Sequence, residues 1–232
     1  MGSLASRVPA VIGMPAMMGR VVVLDTGATN DYGECAARLC APEDPTIPQV
    51  QVGITLRLQA FCDLQDKRHV PPLPVVAPSP VIDKVMTQFQ DKTSEATWLL
   101  DTGGTISLIS TRQARRLGLL DAQGRSVFKP VISLPVGGVG QMTQIRVFRL
   151  DRLVVPTADG HALIYVNVHV GVHDITYTDP ETKQQCTLDG VFGSNLLCAS
   201  MSLVTRDIRK TSFSEIVIDM PGQRLGLCLA PD

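Results

Sequence analysis

Two stretches of this chain set an aspartate in front of Thr-Gly: Asp25-Thr26-Gly27 and Asp101-Thr102-Gly103. A carboxylate on a tight turn is a candidate general base, but one carboxylate alone activates water poorly. Two that face each other share a proton, because both cannot ionise at close range. The ionised member then takes a proton from a bound water and the protonated member donates to the carbonyl under attack. The water attacks directly, with no covalent intermediate on the protein. Such a pair titrates as a unit. The sequence therefore poses two questions: what holds each aspartate, and whether two of them meet.

Around Asp101 the flanks are those of a rigid turn. Trp98-Leu99-Leu100 leads in as an apolar strand and Ile106 to Ile109 leads out as another. Gly103 and Gly104 allow a tight turn that brings N–H groups near the carboxylate. Thr102 and Thr105 supply hydroxyls that can hydrogen-bond the turn or the acid. Ser110 or Thr111 can cap a short helix over Arg112 to Leu117 that stops near Gly118. Downstream, Val127 to Leu134 and Gln144 to Leu150 read as strands around a Gly-rich turn containing Gly137, Gly138 and Gly140. Ala162 to Val170 and Leu188 to Phe192 read as further strands, the latter closed by Gly193. A helix is expected over Asn195 to Thr205. Ile216 to Ile218 and Leu225 to Leu229 form a closing hairpin around Pro221-Gly222. Many short strands with one or two short helices predict a mainly β fold, a closed barrel-like lobe.

This order of elements resembles the retropepsin-like aspartic peptidases, in particular bacterial members whose Asp-Thr-Gly turn is followed by an Ala-x-x-Leu-Gly helix, here Ala114-Arg115-Arg116-Leu117-Gly118. Val191-Phe192-Gly193 looks like the family's second apolar-apolar-Gly element, whose loop threads beside the catalytic turn. The turn at Gly137, Gly138 and Gly140 sits where the family has its flap, and glycine there would permit opening and closing. The resemblance covers roughly residues 95–230. It implies an acid-protease lobe and an endopeptidase that hydrolyses a peptide or protein substrate by an Asp101-activated water, with no cofactor and no metal. The alternative is a non-catalytic, protease-like binding or structural module, a fragment lacking its second catalytic aspartate.

Asp25 admits two readings. In one it faces Asp101 within the chain, as in a two-lobed enzyme like pepsin. Against this, Ala28-Thr29-Asn30-Asp31 lacks the apolar run that follows Thr105. In the other, Val11-Ile12-Gly13 resembles Val191-Phe192-Gly193, and Val21-Val22-Val23-Leu24-Asp25 resembles Ile216-Val217-Ile218-Asp219-Met220. Residues 1–30 are then the tail of a preceding lobe, residues 31–92 a connecting region with a Pro-rich segment from Pro71 to Pro80, and residues 93–232 the lobe itself. Asp25 then matches Asp219 and not Asp101. A partner acid would have to come from elsewhere, and a homodimer of the retropepsin type is one source.

Composition excludes other classes. A net charge of −1 gives no bulk attraction to nucleic acid. No apolar run approaches the ~18 residues of a membrane-spanning helix. The apolar stretch Val8 to Met18 is broken by Pro9, Gly13 and Pro15 and has no basic flank, so it reads poorly as a signal peptide. No compartment is indicated. The six cysteines form no C-x-x-C pair, which argues against a zinc site, and Cys198 and Cys228 lie in apolar runs that suit buried thiols. His169 and His173 flank Gly171 in a strand-like run, where four residues extend ~13 Å, too far to share a metal.

Overall fold

The computed structural model describes residues 14–26, 36–61, 77–137, 142–198, 200–201, 208–209 and 212–230. In chain order its elements are helix α1 (Met14–Met17), strands β1 (Val21–Asp25), β2 (Ala36–Cys40), β3 (Val52–Thr55), β4 (Arg57–Gln59), β5 (Ser79–Phe89), β6 (Lys92–Asp101) and β7 (Ser107–Ile109), then helix α2 (Thr111–Arg116). There follow β8 (Ile132–Gly137), β9 (Met142–Pro156), β10 (Ala162–Val172), β11 (Thr176–Thr178), β12 (Gln185–Thr187), β13 (Gly190–Gly193), β14 (Ser200–Met201), β15 (Ile208–Arg209), β16 (Phe213–Asp219) and β17 (Arg224–Leu229).

Two sheets dominate. The larger runs β4-β5-β6-β13-β7-β10-β9-β8, and β5 also pairs with β9. That extra pairing closes β5, β6, β13, β7, β10 and β9 into a six-stranded barrel, as the mainly β reading requires. The smaller sheet runs β2-β1-β16-β17-β3. Period-2 alternation gives β16 and β17 a barrel-facing side, Ile216, Ile218, Leu225 and Leu227. These join Trp98, Leu150, Val170 and Phe192 from the barrel in one core. Val21, Val23, Cys40, Val217 and Cys228 point to the other side and form a small second core under Ile47 and Val50.

The local signals around Asp101 translate directly. Ser110 is the N-cap of α2 and its hydroxyl accepts from the Gln113 N–H at 3.2 Å. Gly118, at φ +74, ends the turn after the helix, a conformation glycine adopts without strain. The closing hairpin forms over β16 and β17, and Asp219 Oδ1 accepts from the Gly222 N–H at 2.8 Å across its turn.

Three expectations shift. The barrel begins before Thr93: β5 starts at Ser79 and forms a hairpin with β6, Phe89 opposite Lys92. The strand expected from Val127 starts only at Ile132, because Pro130 has no N–H for a ladder. Phe128 instead stacks edge-on against Phe89, with ring centroids 5.0 Å apart.

The third shift corrects the helix expected over Asn195 to Thr205 in its described part, residue 199 and residues 202–205 lying outside the described residues. The chain makes a single 3-10 turn, Ser194–Leu196, and then enters β14, which pairs with β15. Long-range bonds from Ser194 and Asn195, described below, hold this turn and override the helical propensity of Leu196-Leu197. Among the described residues no helix is long and apolar enough to cross a membrane.

Candidate active site

Consecutive strands β6 and β7 do not pair with each other. β13 lies between them, parallel to β6 and antiparallel to β7. This brings Gly193, at the end of β13, into register with Asp101, at the end of β6. The expected apolar-apolar-Gly element thus runs beside the Asp101 turn. Val191 and Phe192 are buried, and Phe192 stacks edge-on with Trp98 and Tyr165.

The Asp101 carboxylate is half-buried and is held from its own turn. The Gly103 N–H donates to Asp101 Oδ1 at 3.0 Å, and the Gly104 N–H donates to the Asp101 carbonyl at 3.3 Å. Neither glycine needs a left-handed backbone. Their requirement is space: a Cβ on Gly104 would stand 3.0 Å from Asp101 Oδ2, and one on Gly103 would stand 3.3 Å from Oδ1. The glycines therefore leave the carboxylate uncrowded on both sides.

A network beneath the turn ties three segments together. The Ser107 N–H and hydroxyl both donate to Asn195 Oδ1, at 2.7 and 2.8 Å, and the Gly193 N–H donates to Ser107 Oγ at 3.0 Å. Asn195 Nδ2 donates to the His169 carbonyl on β10 at 3.3 Å. Ser194 binds the turn itself, its N–H and hydroxyl donating to the Gly104 carbonyl at 2.8 and 3.0 Å. Sequence reading placed Asn195 only at a helix start and passed over Ser107. A polar residue in the otherwise apolar run Ile106 to Ile109 was the available signal, since Ser107 is fully buried and such a group needs partners.

The other predicted residues fall as follows. Thr102 is half-buried and Thr105 exposed; among the described residues neither hydroxyl makes a hydrogen bond. Gly137 ends β8, in register with Met142 of β9, so the hairpin that would carry a flap is formed. Gly138 and Gly140 lie outside the described residues. Asp25 ends β1 in the smaller sheet, between Ala36 of β2 and Glu215 of β16, whereas Asp101 belongs to the barrel. The structure therefore puts the two aspartates on different sheets. The next residue, Thr26, is buried and donates from Oγ1 to the Phe213 carbonyl at 2.6 Å. Arg112, on α2, is exposed and paired with Asp189. Cys228 is buried as expected, and Cys198 is half-buried.

No protein-family profile and no curated protein sequence matches the chain. Among solved structures it is similar to a retropepsin-like aspartic protease from Rickettsia conorii, with 13% identity and a TM-score of 0.28, over 51% of this chain and 80% of that one. This is a weak resemblance at the level of the fold.

Proposed function

We propose that this chain carries one half of the active site of an aspartic-type endopeptidase, with Asp101 as one of two carboxylates that activate water for peptide hydrolysis. The observation that carries the reading is the register of Gly193 with Asp101 on a strand threaded between β6 and β7. That arrangement presents the carboxylate on rigid strand ends, held by a backbone N–H and braced from below through Ser107, Ser194 and Asn195. Thr102, Gly103 and Thr105 form the turn, and the β8–β9 hairpin with Gly137, Gly138 and Gly140 is the flap over the substrate.

The second acid is not Asp25 on this reading. Asp25 occupies on β1 the place that Asp219 occupies on β16, and Asp219 caps a turn. Residues 1–30 are the tail of a preceding lobe, residues 31–92 connect, and the catalytic lobe follows, its barrel drawing in β5. A homodimer joined along the edge of β16 would require β1 to leave that edge, where it already pairs over five residues. Asp101 without a partner acid would be the second reading, a protease-like module without catalysis.

The test is cleavage of an unstructured protein at acidic pH, with and without pepstatin, by the wild type, Asp101→Asn and Asp25→Asn. The expected result is loss of any cleavage in Asp101→Asn by a factor on the order of 10²–10⁴, with Asp25→Asn close to wild type. Equal loss in both variants would restore the pair within the chain. Cleavage that survives Asp101→Asn would overturn the reading.

A further inference from the structure

Lys92 opens β6 and Asp101 closes it, so the strand has two ends with different surroundings. At the Lys92 end the turn of the β5–β6 hairpin meets the segment that follows α2. The Phe89 ring stacks edge-on with Phe128, with centroids 5.0 Å apart, and the Lys92 side chain lies against Gly118. The segment is fastened inward by its backbone. The Val127 N–H donates to the Leu119 carbonyl at 2.9 Å, and the Val131 N–H donates to the Val147 carbonyl at 2.8 Å. Arg146 on β9 holds it as well, donating to the Gly124 carbonyl at 3.1 Å and to Ser126 Oγ at 2.9 Å.

What this segment turns outward is apolar. Val127 is 56% exposed, Phe128 37% and Val131 41%, and Lys129 is exposed between them. Three large apolar side chains crowded into five residues mark a contact surface, unlike the single scattered exposures that need no explanation. Cations stand around them: Lys92, Lys129, Arg125 and Arg146, with Arg115 and Arg116 on the last turn of α2. Two of the acids in this region are engaged locally. Asp121 is bonded to Arg125 at 2.7 Å, and Asp151 accepts from the Gln90 N–H at 2.6 Å, while Asp91 is exposed. Six cations against three acids make this end positive in a chain whose net charge is −1.

We propose that the segment from Val127 to Val131, with the basic side chains around it, docks the protein on an anionic lipid surface. Val127, Phe128 and Val131 enter the boundary between headgroups and acyl chains, and the Lys and Arg side chains meet the anionic headgroups. The interleaving of lysine with Val and Phe favours lipid over an acidic protein. Lysine is depleted in protein–protein interfaces, whereas its long stem lets the ammonium reach headgroups from among buried apolar groups. The patch lies where β6 starts and Asp101 where it ends, 10 residues along the strand. Docking therefore holds the Asp101 turn away from the lipid, by up to about 30 Å. The inference is independent of the chemistry at Asp101.

The experiment is cosedimentation of the 232-residue protein with vesicles of phosphatidylcholine alone and of phosphatidylcholine mixed with phosphatidylserine. The expected result is binding to the mixed vesicles only, weakening as salt is added. Lys129→Gln should weaken that binding about fivefold, and Phe128→Ala about tenfold. Phe128 also packs on Phe89, so Val127→Ser is the variant that spares the fold. It should weaken binding about fivefold with an unchanged melting temperature. Val166→Ser, at a position 62% exposed on β10, is the control and should bind as the wild type does. Equal binding to both kinds of vesicle, binding indifferent to the Val127, Phe128 and Lys129 substitutions, or no binding overturns the proposal. Binding to polyglutamate without binding to either vesicle also overturns it and assigns the patch to an acidic protein.

Discussion

Gly193 stands opposite Asp101 on the parallel strand β13, so close to the Asp101 turn that a Cβ there would lie 2.7 Å from the Ile106 carbonyl carbon and 2.9 Å from the Gly104 carbonyl oxygen. Both neighbours are backbone and cannot rotate aside. The position of the carboxylate is thus coupled to the absence of a side chain on a residue far away in the chain.

Gly193→Ala should push β13 away from the Asp101 turn, destabilising the fold by about 1–3 kcal/mol and lowering cleavage per folded molecule as well. Gly190→Ala is the comparison. Its Cβ would meet the buried Trp98 ring at 2.5 Å, but at the far end of β13, opposite Trp98. It should lose comparable stability and keep its activity per folded molecule. Urea denaturation together with steady-state rates checks the split.

Ser107→Ala removes the acceptor for the Gly193 N–H and one of two donors to Asn195 Oδ1. A buried N–H left without a partner costs about 1–3 kcal/mol, to be read from denaturation midpoints. Ser107→Ala and Asn195→Ala should be non-additive in a double-mutant cycle, by about 0.5 kcal/mol or more. Additive losses would show that the network does not act as a unit.

Arg57 grips Asp83 with two bonds, at 2.8 and 3.0 Å, across the β4–β5 pairing, and Thr97 donates to the same carboxylate at 2.7 Å. Hydrogen bonding from Arg57, with a further contribution from Thr97, holds the Asp83 carboxyl below the usual carboxylate range. A carboxylate lowered on folding contributes stability above its unfolded pKa, about 3.9, and that contribution is lost as pH falls through the lower folded value. Arg57→Gln should therefore lower stability at neutral pH by up to about 1 kcal/mol, the pair being half-exposed. The difference from wild type should vanish at the acid end of the titration. Thermal melts across pH 2 to 7, on the order of the range Asp titrates over, test the sign.

Tyr165 is half-buried with its ring against Phe192, its buried hydroxyl oxygen has no hydrogen-bond partner among the described residues, and burial pushes its phenol pKa up. Tyr165→Phe removes an unpaired polar atom and keeps the ring. It should be neutral or stabilising, by up to about 1 kcal/mol, in chemical denaturation. A clear loss of stability would mean that the hydroxyl has a partner in solution.

Much of the site was legible because its signals are local. Asp101, its two glycines and the apolar strands around them sit within a dozen residues, as do the Ser110 cap and the Gly118 stop of α2. β5 was obscured by a bulge. Register shifts between Ile82 and Val85, with Lys84 at φ +58, so the alternation that marks a strand breaks midway and Pro80 adds a misleading loop signal. The helix expected after Asn195 failed for the opposite reason. Its propensity was real, but the Asn195 and Ser194 side chains are bound to Ser107 and Gly104, far back in the chain.

By itself, then, the sequence determined the turn that carries Asp101, the strand that delivers it and the likeness of Val21–Asp25 to the closing strand. The tertiary structure alone decided that β13 enters between β6 and β7, that Ser107 is the buried tie beneath the turn, and that Val23 faces Val217 across the β1–β16 pairing. Parallel and long-range pairings leave no local pattern, since alternation reports which face of a strand is buried but not which strand lies beside it. Asp25 and Asp101 share one tripeptide. Only the sheet to which each belongs sets them apart.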